Sequence, residues 1–441
     1  MIRRSRGWQS VAVLGIAGLA LAACGDSADT EAAEPAVDDT AAAPMEEPSD
    51  AGSAPAPAAG TGEGDGVLTI GTLLPETGSL AFLGPPEFAG VELAIQEMNE
   101  AGGVLGEDVV KIDGDSGDTT TDIATQTATR LIGEGVDAII GAASSGVSFT
   151  VIDQITGAGV VQFSPANTSP DFTDYDDNGL YFRTAPSDVL QGRVLGDLLV
   201  QDGCLDVATI AIDDPYGTGL VENFRTSLEA GGGSLVADPI LYPEGTGNFS
   251  AQVTQAADSG AECIVLIGFA ETVQIVTEMV AQGLPPTEVP TYFVDGNLSS
   301  YGEDLPPGTL EGNKGTLPGA EATEEFQARL VEAYGPLNDF SYAAESYDAA
   351  LVIGLAAVAA GDDSGTAIGA AIPDVTTGGE KCSTFADCLA MLEAGTDIDF
   401  DGVSGPIELD ENGDPTEATI GIFEYDAENN ISRVDSLSGT I

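Results

Sequence analysis

The chain has 441 residues, with 73 Asp and Glu against 12 Lys and Arg, no His and 5 Cys, so its formal net charge is −61. Without histidine, Ser-His-Asp and Cys-His nucleophile pairs, imidazole metal sites and histidine acid-base chemistry are excluded, and so few cations cannot build the basic patches that bind nucleic acid. At 43% hydrophobic residues the chain has core enough for two or three domains.

Arg3, Arg4 and Arg6 precede an apolar run at 11–21, which Leu21-Ala22-Ala23-Cys24 closes with small residues before a cysteine. The run is too short to span a bilayer, and the segment resembles a bacterial lipoprotein signal. Residues 1–23 are then expected to be removed and Cys24 to carry the lipid that holds the protein to the outer face of the cell membrane, with an ordinary secretory peptide and an incidental cysteine as the alternative. Residues 24–66 hold eleven acids, no cation and otherwise mostly Ala, Gly, Pro, Ser and Thr, the composition of a solvated, disordered tether. The part that remains still carries about −53, so the acidity is spread over the folded surface and suits a medium whose salt screens self-repulsion.

From residue 67 onward, short apolar runs alternate with segments of helical period, which predicts a layered α/β fold with parallel sheets. A strand is expected at 67–74, then a helix at 85–101 whose Phe88, Val91, Ile95 and Met98 share one face. Strand 109–113, helix 120–133, strand 138–140, helix 147–156 and strand 160–163 follow. After Arg183-Thr184-Ala185 a second series begins with helix 189–201, strand 207–212, helix 219–230, strand 234–241 and helix 249–258. It continues with strand 263–267, helix 271–282 and strand 291–294, so two successive doubly wound units are implied. Residues 350–360 are strongly apolar, but eleven residues preceded by Glu345 and Asp348 suit a buried helix better than a membrane span.

In such sheets ligands sit outside the carboxyl ends of the strands. Residues 141–146 (Gly-Ala-Ala-Ser-Ser-Gly) and 164–169 (Ser-Pro-Ala-Asn-Thr-Ser) lie at two such ends and offer hydroxyls and N–H groups near helix starts, a suitable place for a carboxylate. Plain N-capping and turn chemistry explains either loop alone; two at equivalent strand ends point to a shared cleft.

Seven motifs occur in order: Pro75-Glu76-Thr77-Gly78, Glu87-Phe88-Ala89-Gly90, Asn99-Glu100-Ala101-Gly102-Gly103, residues 141–145, Ser164-Pro165-Ala166-Asn167-Thr168, Phe182-Arg183-Thr184-Ala185 and Asp213-Asp214-Pro215-Tyr216-Gly217. In this register the sequence resembles the type I periplasmic-binding-protein fold, in its branched-chain amino acid and amide branch of ABC-transporter substrate-binding lipoproteins, over essentially all of 67–441.

The resemblance implies two doubly wound lobes joined by three crossovers, with a ligand cleft between them: lobe 1 from 67–187 and 319–396, lobe 2 from 188–318 and 397–441. Ser145 and Thr168 stand where the family places donors to a ligand α-carboxylate, and Ala166 where it places backbone contacts. Asp188 and Tyr216 match polar and aromatic cleft positions, Phe269 a cleft aromatic, and Asp295 the acid that holds an α-ammonium. Leu83 stands where relatives carry tyrosine, which predicts a more apolar first-lobe wall. No Arg falls at a matched contact position, and Arg183 is expected to pair structurally at the hinge. Such a set suits a zwitterion, because each buried charge finds a partner. The implied ligand is a small amino acid or amide, the implied protein partner an ABC permease, and no cofactor is called for.

With Cys24 lipidated, Cys382 with Cys388, six apart, and Cys204 with Cys263, each at a strand of the second unit, are the natural disulfides among three connectivities; buried thiols are the alternative for the second pair. Residues 397–408 fit the calcium-loop expression D-x-D-x-D-G-x5-E. Pro406 and a following strand at 416–425 leave no second helix, so a structural hairpin is preferred and no metal is assigned. Beside the transport receptor stand a sensory binding protein of the same fold and a carboxylate-pair hydrolase, for which no acid pair singles itself out.

Overall fold

The computed structural model describes residues 64–320 and 322–441; the leader 1–23, Cys24 and the tether as far as 63 lie outside the described residues. The first half runs β1 (Thr69–Leu73), α1 (Gly84–Glu100), β2 (Val110–Ile112), α2 (Ile123–Gly133), β3 (Ala138–Gly141), α3 (Ser145–Gly157), β4 (Val161–Ser164), β5 (Tyr181–Arg183) and α4 (Asp188–Asp202). There follow β6 (Asp206–Ile212), α5 (Pro215–Ala230), β7 (Ser234–Leu235), β8 (Ile240–Tyr242), α6 (Ser250–Ser259), β9 (Cys263–Ile267), α7 (Thr272–Ala281), β10 (Thr291–Val294) and β11 (Lys314–Pro318). The chain ends with α8 (Glu324–Tyr334), α9 (Ala343–Ala360), α10 (Gly365–Thr376), β12 (Glu380–Cys382), α11 (Phe385–Glu393), β13 (Ile398–Phe400), β14 (Glu417–Tyr425) and β15 (Ile431–Thr440).

Continuous apolar runs become strands buried on both faces, as in β3, β4 and β9, because helices cover both sides of a parallel sheet. The first sheet has the order β2-β1-β3-β4-β5, all parallel. The second has the order β15-β14-β11-β10-β9-β6-β7, with β8 also paired to β6; β14 and β15 are its antiparallel edge. Helix starts carry their own signals. Ser144 and Asp214 cap α3 and α5 by accepting from Val147 and Gly217 N–H, and Gly203, at φ +84°, ends α4.

The apolar segment expected at 350–360 is the end of an 18-residue helix, α9, which is 83% buried and packs on α1 and α10. It is the core helix of the first lobe. Cys204–Cys263 and Cys382–Cys388 are both bridged, with Cα separations of 5.9 and 5.5 Å.

Two expectations are corrected. The lobe boundary expected at Asp397 lies later in the chain. Strand β13 pairs with β12, and Ile398, Phe400, Ile407 and Leu409 join the apolar cluster of the first lobe, so the third crossover falls between Leu409 and β14. The expected strand at 234–241 is two short strands, β7 and β8, which pair separately with β6. The end of the expected tether is held as well, since Asp363 Oδ2 accepts from the N–H groups of Asp65 and Gly66.

Candidate functional site

Six of the eight residues expected at the cleft line one void. Leu83 precedes α1, Ser145 opens α3, Ala166 follows β4, Tyr216 lies in the first turn of α5, Phe269 follows β9 and Asp295 follows β10. All stand at the carboxyl ends of strands or the helix starts beyond them, which is where both sheets bring their loops together. Leu80, Ala143, Ser144, Gly296 and Tyr342 complete the lining of a nearly filled cavity of about 20 Å³. The lobes are closed on it: Leu80, Leu83, Ala143, Ala166 and Tyr342 of the first lobe belong to the apolar cluster of the second.

Asp295 is the polar centre. It is 4% exposed, and its Oδ1 accepts from the Tyr216 hydroxyl at 2.8 Å and Gln191 Nε2 at 2.9 Å, while Oδ2 accepts from the Tyr342 hydroxyl at 2.7 Å. Burial raises its pKa, and the hydrogen bonds from Tyr342, Tyr216 and Gln191 oppose that rise. The Tyr216 ring stacks on Phe269 with centroids 5.7 Å apart. On the opposite wall Ser145 sits at the N-terminus of α3, where unpaired N–H groups and the helix dipole favour an anion. Leu80, Leu83, Ala143 and Phe269 make the rest of the wall apolar.

Thr168 and Asp188 do not line the void. The Thr168 hydroxyl donates to Asp188 Oδ2 at 3.0 Å, and the Asp188 N–H donates to the Thr168 carbonyl at 2.7 Å. Oδ1 of Asp188 is buried with no hydrogen-bond partner among the described residues. Burial, then the nearby Asp295 carboxylate, pushes the Asp188 pKa well up. Ala166 spends its N–H on Ser164 Oγ at 3.3 Å, so its contribution to the cleft is its carbonyl and methyl. Two residues escaped the sequence reading. Gln191 is a buried amide on the otherwise apolar face of α4, and Tyr342 is the N-cap of α9 at φ +60°. A lone amide among apolar positions is a legible signal; a tyrosine in a polar loop before a core helix is a faint one.

Among the described residues no cation lines the void. Arg183 is fully buried and gives Nε and one Nη to the two oxygens of Asp414, at 2.6 and 2.7 Å, and its other Nη to the Ser169 carbonyl at 2.7 Å. It ties β5 to the third crossover, the structural role expected of it. The calcium-like loop already holds a cation: Lys381 Nζ lies 2.9 Å from Asp399, 3.0 Å from Asp401 and 3.6 Å from Glu408. Asp401 and Pro406 close the hairpin, and Asp348 of α9 accepts from the N–H groups of Val403 and Ser404. A protein ammonium sits where the motif would place calcium.

A family model described as periplasmic binding protein matches residues 67–429. The Leu/Ile/Val-binding protein homolog 3 of Brucella melitensis biotype 1 is 33% identical over 206 residues, 46% of this chain and 54% of that protein, so this match spans about half the length of the relative. Homolog 2 of Brucella abortus is 28% identical over 81% of this chain and 90% of its own. The chemotactic signal transduction system substrate-binding protein BasB of Halobacterium salinarum is 26% identical over 78% and 83%. Among solved structures, the substrate-binding protein LivJ of Streptococcus pneumoniae, in complex with isoleucine, superposes with a TM-score of 0.68 at 22% identity over 85% of this chain and all of that one. A solute-binding protein of R. palustris in complex with benzoate gives 0.68 at 21% identity over 85% and 98%. The chain belongs to the periplasmic binding protein family and has the type I fold of these solved structures, and the relatives it matches are binding proteins.

Proposed function

We propose that the protein is an extracytoplasmic receptor, anchored by lipid on Cys24, that closes its two lobes on a small neutral amino acid or amide and delivers it to an ABC permease. One observation carries the reading: an apolar-walled void has an acid, Asp295, fixed by three donors on one side, and the N-terminus of α3 with Ser145 on the other. An α-ammonium meets the acid, an α-carboxylate meets the helix start, and an apolar side chain meets Leu80, Leu83 and Phe269. Thr168 serves by orienting Asp188.

Calorimetry on refolded, ligand-stripped protein tests this against leucine, isoleucine, valine, their amides and benzoate. Saturable binding of an amino acid or amide that is recovered unchanged supports the reading. Binding of benzoate alone would replace the zwitterion with an aromatic acid. Mass spectrometry of the membrane-bound protein checks the lipid on Cys24.

The likeness to a chemotactic binding protein favours a second reading, in which the same closure signals to a membrane partner. Uptake of labelled ligand that requires this chain separates transport from sensing.

A further inference from the structure

The loop between β8 and α6 carries Glu244 to the mouth of the cleft. Its carboxylate is gripped by the other lobe: Ser79 Oγ donates to Oε1, while the Thr119 hydroxyl and the Thr119 N–H, the latter at 3.1 Å, donate to Oε2. Beside this grip the Ala270 N–H of the second lobe donates to the Ser79 carbonyl at 3.2 Å. Ser79 is followed by Leu80, and the same short segment reaches Leu83, so the loop that roofs the void is the loop that Glu244 holds.

The surroundings make this contact depend on closure. Asp214, at the start of α5, is pushed up to about 7 by burial and then by Glu244 and Glu271, so this rim of the second lobe is acidic and no salt bridge to Glu244 occurs among the described residues. The three donors all come from the first lobe. With the lobes apart, Glu244 faces water and two like charges; with the lobes together, it gains three charge-assisted hydrogen bonds. Glu244 does not line the void and touches no group proposed to bind the ligand.

We infer that Glu244 is a closure latch, which forms only when the lobes meet and sets how long the ligand stays. The inference rests on the void being the ligand site. A contact made after encounter acts on release and not on capture, so its loss appears in koff.

The test uses the full chain with L-isoleucine as the probe in stopped-flow dissociation. Glu244→Ala is expected to raise koff about tenfold and leave kon within about twofold. Ser79→Ala with Thr119→Ala should raise it similarly, and adding both to Glu244→Ala should change nothing more. An unchanged koff, or independent effects that multiply, overturns the latch. If isoleucine does not bind the unaltered protein, the ligand reading fails separately, and X-ray scattering of ligand-free protein decides the latch. A larger radius of gyration in Glu244→Ala supports it; equal radii overturn it. Thermal melts of each variant establish that the fold is intact.

Discussion

Tyr342 of the first lobe donates its hydroxyl to Oδ2 of Asp295 of the second at 2.7 Å. Both are buried, and the tyrosine stands at φ +60° as the N-cap of α9, the helix at the centre of the first-lobe core. The acid of one lobe is thus oriented by a residue at the start of the buried core helix of the other, and closing the cleft completes its hydrogen bonding. A hydrogen bond to a charged group contributes about 1.5 to 3 kcal/mol, so Tyr342→Phe should weaken binding roughly tenfold to a hundredfold. Asp295→Asn should weaken amino acids more than uncharged amides, because only the former bring an ammonium that loses its counter-charge. Calorimetry on both variants checks this, and equal affinity in Tyr342→Phe would remove the residue from the site.

Several buried carboxyls are held above their ordinary range. Burial raises Asp137 and Asp348 to about 7 and Glu345 to about 8. A group whose folded pKa exceeds its unfolded one favours folding while protonated, so this stability is fully present below about pH 4 and is lost as pH rises through 7 to 8. The protein should therefore melt several degrees higher at pH 5.5 than at pH 8.5. The surface charge acts in the same direction but is screened by salt, whereas the buried groups are screened much less. A pH dependence that persists in about 1 M salt and shrinks in Asp348→Asn is the expected result.

The alternation of apolar runs and helical segments made both sheets legible, because a strand buried on two faces leaves an uninterrupted apolar run such as Cys263–Ile267. The loops of Ser145 and Ala166 were legible for a related reason, since they follow strands in the sequence as they do in space, whereas Tyr216, Phe269 and Asp295 were pointed to by the family resemblance alone. Tyr342 follows no strand, and the periodicity of its neighbours reports only the helix behind it. Glu244 is one acid among 73, distinguished by what it faces and not by its pattern. The misplaced boundary at Asp397 has the same origin, since the pairing of Ile398–Phe400 with Glu380–Cys382 is a tertiary choice that two short strands do not announce.

Arg183 and Asp414 join β5 to the third crossover in a bidentate pair that is almost wholly buried. Removing one partner leaves the other charge uncompensated, at a cost of about 3 to 5 kcal/mol. Arg183→Met should lower the urea midpoint markedly, and Arg183→Met combined with Asp414→Leu should recover part of the loss. A double variant as unstable as the single one would show that Arg183 acts mainly through the Ser169 carbonyl it also holds.

Lys381 satisfies Asp399, Asp401 and Glu408 together, so added calcium should leave the melting temperature of the unaltered protein unchanged. Lys381→Met leaves three acids facing one another. The lysine is half exposed, so its loss should cost only about 1 kcal/mol, and calcium should restore some of it. Calcium stabilising the unaltered protein would overturn this assignment.

The two disulfides close loops of very different length, 59 and 6 residues in sequence separation. In the chain-entropy account a bridge stabilises by restricting the unfolded chain, which gives about 4 kcal/mol for the longer loop and about 2 kcal/mol for the shorter. Cys204–Cys263 also joins the end of α4 to the first residue of β9 inside the second-lobe core, with both cysteines buried. Replacing that pair by Ala should therefore lower the guanidinium midpoint about twice as far as replacing Cys382 and Cys388 by Ser. Mass spectrometry of a non-reduced digest should first show both links. Equal losses from the two pairs would mean that local packing, and not loop length, sets what each bridge contributes.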